Sequence, residues 1–128
     1  MRADLQERLF KKYPKLFRQV DLPVEQSLMS FGIECGDGWY ELIDDLCSKL
    51  QHYDVEAVQV KEKFGTLRFY LDYYPEGVDQ LVEEAEERSS TICEYCGKSG
   101  RTVNIGNWLY TVCEDCGDRI KRKEGFLV

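Results

Sequence analysis

Residues 93–117 read Cys93-Glu-Tyr-Cys96-Gly-Lys-Ser-Gly-Arg-Thr-Val-Asn-Ile-Gly-Asn-Trp-Leu-Tyr-Thr-Val-Cys113-Glu-Asp-Cys116-Gly117. Two Cys-x2-Cys-Gly knuckles stand sixteen residues apart, a spacing within the range of tetrahedral zinc sites. Two intervening residues let one turn carry both sulfurs to about 2.3 Å from a single ion. The glycine after each pair is expected to relieve the tight turn. Between the knuckles, Thr102–Ile105 and Trp108–Val112 flank Gly106-Asn107, a hairpin signal. Knuckle, hairpin, knuckle predicts a zinc ribbon with Cys93, Cys96, Cys113 and Cys116 as ligands. Four thiolates close the tetrahedron and leave no position for water or substrate, so the Zn2+ is read as structural. A ribbon this short cannot fold on its own core, and zinc supplies about 10–16 kcal/mol in comparable finger peptides. Paired knuckles argue against disulfides. Cys35 and Cys47 fall outside the pattern and are read as small, unreactive residues, Cys47 on an apolar helix stripe.

Upstream, the apolar period is first helical and then two. Residues 1–20 predict an amphipathic helix interrupted near Pro14, with Leu5, Leu9 and Tyr13 in line and Leu16 and Phe17 beyond. Asp21-Leu-Pro23 reads as a break, and Val24 to Ile33 is ambiguous. Trp39, Leu42, Ile43, Leu46, Cys47 and Leu50 form one stripe of a helix of about fourteen residues, with Asp37 as its expected N-cap. Val58 and Val60 then alternate with Gln59 and Lys61, and Leu67, Phe69 and Leu71 with Arg68 and Tyr70. This predicts antiparallel strands joined near Phe64-Gly65. After the turn Tyr73–Gly77, residues Val78, Leu81, Val82 and Ala85 mark a helix with an acidic outer face. The expected fold is α+β: a small two-layer helix and antiparallel-hairpin domain over 1–90, with the ribbon of 91–128 docked on it.

The chain has 128 residues, 43% hydrophobic and 32% charged, which suits a folded domain rather than disorder. No apolar run reaches the ~20 residues of a bilayer span, so no membrane partner is expected. The first eighteen residues lack a continuous apolar stretch, so a cytoplasmic location is the default. Lys plus Arg number 17 against 24 Asp plus Glu, a net charge of −7 that disfavours nucleic acid as partner. The charge is uneven: acidic blocks at 31–60 and 76–90 flank a short stretch with a slight basic excess.

Glu34-Cys-Gly-Asp-Gly-Trp39-Tyr, then Val60-Lys-Glu-Lys-Phe-Gly-Thr-Leu-Arg-Phe-Tyr70, then the paired knuckles resemble small uncharacterised phage and prophage zinc-ribbon proteins. The resemblance runs over roughly residues 32–116, and the middle motif is its most specific part. It implies a viral or prophage setting, hence a host-cell cytoplasm, together with a zinc ribbon; it implies no activity.

Alternation places Lys61 and Lys63 on one face of the first strand and Arg68 and Tyr70 together on the second. Such a set can hold a phosphate-bearing, nucleotide-like ligand: Arg by its fork, Lys as a point charge, Tyr by stacking. The plain alternative is a solvated strand face whose charges discourage edge pairing. Trp39 and Tyr40, at a helix N-terminus after Gly36-Asp37-Gly38, are a second candidate ligand surface; the competing reading is a cap and a core anchor. Glu34, Asp37, Glu41, Asp44 and Asp45 suggest a metal nuclease, but Lys61-Glu62-Lys63 has the wrong offset for a common nuclease strand motif. The single histidine, His52, rules out HNH chemistry, and no Ser/His/Asp set or Cys/His nucleophile assembles.

Tyr95, Trp108 and Tyr110, followed by Arg119, Lys121, Arg122 and Lys123, could grip single-stranded nucleic acid. Alternatively, those rings pack the ribbon against the first domain and the basic run favours a helix C-terminus. The expected function is therefore non-enzymatic capture of a small nucleotide-like ligand or a host protein. One version is a counter-defence protein sequestering a nucleotide-derived immune signal. The alternatives are nucleic-acid binding in phage replication or transcription control, and an acidic decoy in which Glu83–Glu87 imitate phosphates against a host DNA-binding factor.

Overall fold

The computed structural model describes residues 1–124. Helix α1 (Ala3–Lys12) buries Leu5 and Leu9 and stops at Tyr13, because the residue before Pro14 is driven out of helical geometry. The chain then folds back through Leu16 and Phe17, both buried, into a 3-10 turn over Arg18–Asp21. Tyr13 donates its hydroxyl to Asp44 Oδ1 at 2.6 Å, and Lys12 Nζ reaches the same oxygen at 3.0 Å. Those bonds pin α1 to α2 (Tyr40–Leu50), which buries Leu42, Ile43, Leu46, Cys47 and Leu50 along the expected stripe.

Helix α2 is eleven residues long, shorter than expected, because Asp37–Trp39 forms a 3-10 turn ahead of it. Asp37 is not the helix cap either. Its carboxylate accepts the Arg2 backbone N–H at 2.7 Å, and no side-chain cap bond forms at the start of α2.

The ambiguous stretch contains a 3-10 turn, Leu28–Phe31, and a two-residue strand β1 (Ile33–Glu34). Strand β1 runs parallel to β2 (Ala57–Lys63), with Ile33 opposite Val60. Strand β3 (Thr66–Leu71) pairs antiparallel with β2, so the sheet order is β1-β2-β3. A bulge between Ala57 and Gln59 breaks the expected alternation. Ala57 and Val60 face the core, and Val58, expected there, is only half-buried. Helix α3 (Val78–Ser89) packs against α2 and β3. The inner residues of the sheet join Leu9, Phe17, Trp39, the α2 stripe, Val78 and Ala85 in one core. No helix among the described residues is long and apolar enough to cross a membrane.

Both outer edges of this sheet are met by side chains. On β3, Leu67 N–H donates to Ser89 Oγ at 2.9 Å and Leu71 N–H to Tyr74 Oη at 3.1 Å. On β1, Ile33 N–H donates to Gln6 Oε1 at 2.9 Å while the Met1 amine donates to Ile33 O at 3.3 Å.

The C-terminal part comprises the hairpin β4 (Arg101–Ile105) and β5 (Trp108–Val112), then α4 (Glu114–Lys123). Its small core is Cys93, Val112 and Cys116, flanked by Val103, Tyr110 and Ile120. It docks on the first part largely through backbone. Gly38 N–H donates to Glu94 O at 2.7 Å, Gly36 N–H to the Glu94 carboxylate at 2.9 Å, and Trp39 Nε1–H to Ile92 O at 2.8 Å. A Cβ at Gly38 would lie 2.5 Å from Gly97 N and would also strike Cys93 O, which is backbone that cannot swing aside. Gly38→Ala is therefore expected to destabilise the protein by about 1–3 kcal/mol, as overpacking does. Chemical denaturation measures it, and an unshifted midpoint would show that this loop is not held against the knuckle.

Candidate metal centre and a basic strand face

The first knuckle is a turn from Cys93 to Gly97, closed by Gly97 N–H donating to Cys93 O at 3.0 Å. Gly97 has φ +80, as expected of a residue that relieves a tight turn. The second knuckle differs: Cys113 is the N-cap of α4, and Cys116 lies in its first turn. Gly117 is helical, contrary to the expected turn role; it is small because a Cβ there would meet Val112 Cγ2 at 3.2 Å. The four sulfurs all lie within 4.8 Å of one another, and Cys96 and Cys113 Sγ are 3.6 Å apart. Bonds of about 2.3 Å to one tetrahedral ion would set sulfurs roughly 3.8 Å apart, so this cluster can hold a metal ion. None of the cysteines is in a disulfide.

The surroundings treat the thiols of the cluster unequally: burial and the neighbouring thiols push Cys116 up, and, against a Lys98 backbone N–H, burial and its thiol neighbours raise Cys96 as well. Cys116 N–H points at Cys113 Sγ at 3.4 Å, at the positive end of α4. Burial opposes ionisation of Cys93, but backbone N–H groups of Cys113, Cys96 and Tyr95 outweigh it and bring the pKa down to about 7. Cys35 and Cys47 lie outside the cluster. Burial pushes the Cys35 thiol up to about 12 and raises that of Cys47 as well, so both are inert core residues.

The sheet carries the second candidate site. Lys61 sits opposite Arg68, Lys63 opposite Thr66, and Gln59 opposite Tyr70. Directly opposed residues share a face, so Gln59, Lys61, Lys63, Arg68 and Tyr70 lie together on the outer face of β2–β3, with Glu34 of β1 beside Lys61. Glu62 alternates to the other side, where its carboxylate accepts Gly65 N–H at 2.7 Å. Arg68 Nη1 pairs with Glu86 of α3 at 3.1 Å, while its Nε–H, screened from solvent, has no acceptor. Beside Tyr70 opens a groove of about 560 Å³, lined by Gln19, Gln26, Leu28, Gln59 and Tyr74 among others.

The remaining candidates are scattered. Trp39 is not a ligand surface: it is 0% exposed and its indole N–H is committed to Ile92. Tyr40 is half-buried and lines a different groove, with Gly38, Arg88 and Cys96. The acidic residues disperse into separate ion pairs, Asp44 with Lys12 and Asp45 with Lys49 and Arg88. His52 is exposed in the turn after α2. Arg119, Lys121, Arg122 and Lys123 lie in α4, the last three in its final turn, where cations suit the helix dipole. The ribbon's aromatic rings do not all pack inward: Tyr110 does, but Tyr95 is 45% and Trp108 72% exposed. Two features escaped sequence reading. Phe64 is exposed with φ +55, and the glycines around Asp37 serve docking; a Gly-x-Gly pair before a buried Trp was the available signal.

Compared with protein-family models, curated proteins and solved structures, the chain matches none of them. For the metal centre, elemental analysis of the purified protein should find a tightly held divalent ion. Cys113→Ser should abolish it and lower the melting temperature by several degrees. Metal-free wild-type protein with unchanged melting would overturn the assignment.

Proposed function

We propose that this chain is a non-catalytic binding protein, stabilised by a structural Zn2+, that captures a small nucleotide-like ligand on the outer face of β2–β3. The observation that carries the reading is the strand register, which gathers Lys61, Lys63, Arg68 and Tyr70 on one face beside an open groove. Arg68 retains donor capacity beyond its Glu86 pair, Lys61 and Lys63 supply point charges, and Tyr70 with Gln59 offers a ring and an amide to a base. A soft, closed set of four thiolates suits Zn2+ and leaves it no open position for chemistry. The two thiols outside that set are buried and hard to ionise, which supports binding rather than nucleophilic catalysis. In the phage setting that the motifs suggest, such capture would sequester a nucleotide-derived defence signal.

The test is a thermal-shift panel of mononucleotides and cyclic nucleotides. A ligand at about 100 times its Kd stabilises the folded state by about 2.7 kcal/mol. The double variant Lys61→Ala/Lys63→Ala should lose the shift while its ligand-free stability stays within about 0.5 kcal/mol, as for surface changes generally. Arg68 is the wrong residue to remove, because its ion pair ties β3 to α3. If no member of the panel moves the melting point, the reading falls.

A further inference from the structure

The β2–β3 turn lies against the strands of the β4–β5 hairpin. Thr111 Oγ1 of β5 donates to Gly65 O at 2.5 Å, and a Cβ at Gly65 would lie 3.3 Å from Thr102 Cγ2. Both turns have positive φ at both central residues, Phe64 (+55) and Gly65 (+85) in one, Gly106 (+59) and Asn107 (+67) in the other. That geometry favours Asn or Gly, and Asn107 conforms. Phe64 does not. A bulky aromatic residue in the left-handed region is strained, and this one is 65% exposed, so burial does not repay the strain. Next to it Trp108 is 72% and Leu109 40% exposed. Together with Lys63, Asn104 and Asn107, these three line a cavity of about 570 Å³ between the turns. Lys63 Nζ lies 5.5 Å from the Phe64 ring centre.

Lys63 belongs to this cavity and also to the outer face of β2–β3, so the two surfaces are continuous. Along β3, Tyr70 stands five residues from Gly65, roughly 17 Å at about 3.4 Å per residue. Aromatic rings therefore stand at both ends of a track, and Lys61, Lys63 and Arg68 lie between them. Strands β2 and β3 place no carboxylate on this face; Glu34 of β1 borders it opposite Lys61 and Glu86 of α3 pairs with Arg68, which leaves Lys63 the cation farthest from an acid along the track. Glu62 also lines the cavity, with its carboxylate engaged by Gly65 N–H. Local positive charge, rings spaced too far apart for one base, and two amide side chains near the tip complement a strand whose bases are free to stack.

We infer that the site proposed above extends to the paired turns and takes a short single-stranded nucleic acid, with Phe64 and Trp108 as the distal stacking platform. This rests on the nucleotide-binding reading of the strand face and lengthens its ligand. Duplexes are poor ligands for it, because their base faces are hidden.

The test titrates the full chain with short oligothymidylate, thymidine monophosphate and a duplex of the same length at about 50 mM salt. Trp39 is buried, so quenching of indole emission reports Trp108. The oligonucleotide should bind at least tenfold more tightly than the mononucleotide and quench that emission. Its log affinity should fall with log salt by about 0.7 for each phosphate neutralised. Phe64→Asn, which suits the turn and should melt no lower than the parent, should weaken oligonucleotide binding about tenfold or more and leave mononucleotide binding unchanged. Trp108→Ala, followed by anisotropy of a labelled strand, should do the same. Equal affinity for strand and mononucleotide with neutral turn variants would overturn the extension and leave the strand-face reading standing. Duplex binding as tight as single-strand binding would overturn the stacking platform. Binding of none of the three would overturn the extension, and would overturn the strand-face reading too where the mononucleotide panel is also silent.

Discussion

The structure turns on the fit of one bare loop against one backbone carbonyl. Gly38 N–H meets Glu94 O between the two knuckle cysteines Cys93 and Cys96, with Gly36 bonded to the Glu94 side chain alongside. Each such bond is worth only about 1 kcal/mol net, so the loop cannot by itself impose the knuckle's shape. A metal ion held by four thiolates can, because its binding energy is an order of magnitude larger. The knuckle then forms the wall against which Trp39 closes, its indole N–H on Ile92 O just before Cys93. Completing the larger core and forming the small cysteine-lined one are thus linked through a few backbone atoms. Thr111 and Gly65 supply a second joint between the same two parts.

Charge is sorted by the pleat of the sheet. Lys61 and Lys63 point outward while the intervening Glu62 turns inward to bond Gly65 N–H. Had β2 been shifted by one residue, Glu62 would join Glu34, which already stands opposite Lys61, on the outer face. The register is set by the apolar partners Val60 and Phe69 and by the tight Phe64-Gly65 turn, so core packing and surface electrostatics share one determinant. A net charge of −7 conceals this face, because the acids lie mostly on α2, α3 and the loops.

Elements written in local patterns were legible in the sequence. The cysteine spacing, the hairpin around Gly106-Asn107 and the apolar stripe of α2 involve neighbours along the chain, and each folds as its pattern indicates. Strand β1 was not legible, since two residues carry no period and its partner Val60 lies far along the sequence. Asp37 was misread for a related reason: its carboxylate is taken by Arg2, a contact no local rule anticipates. The bulge at Ala57–Gln59 displaced Val58 from the core because strict alternation has no place for an extra residue. In the candidate site, alternation correctly grouped Lys61, Lys63, Arg68 and Tyr70. Trp39 was drawn in only because hydrophobicity does not distinguish a core ring from a stacking ring.

The side chains that meet β1 and β3 have a consequence for how the protein behaves in company. An open strand edge is a template on which another chain can lengthen the sheet, the first step of many aggregation routes. Ser89 and Tyr74 occupy donors along one border, and Gln6 with the Met1 amine stoppers the other. Crowded copies of this molecule find little ladder to extend there, so the central sheet resists fibre-like stacking even though rings remain bare elsewhere on the surface.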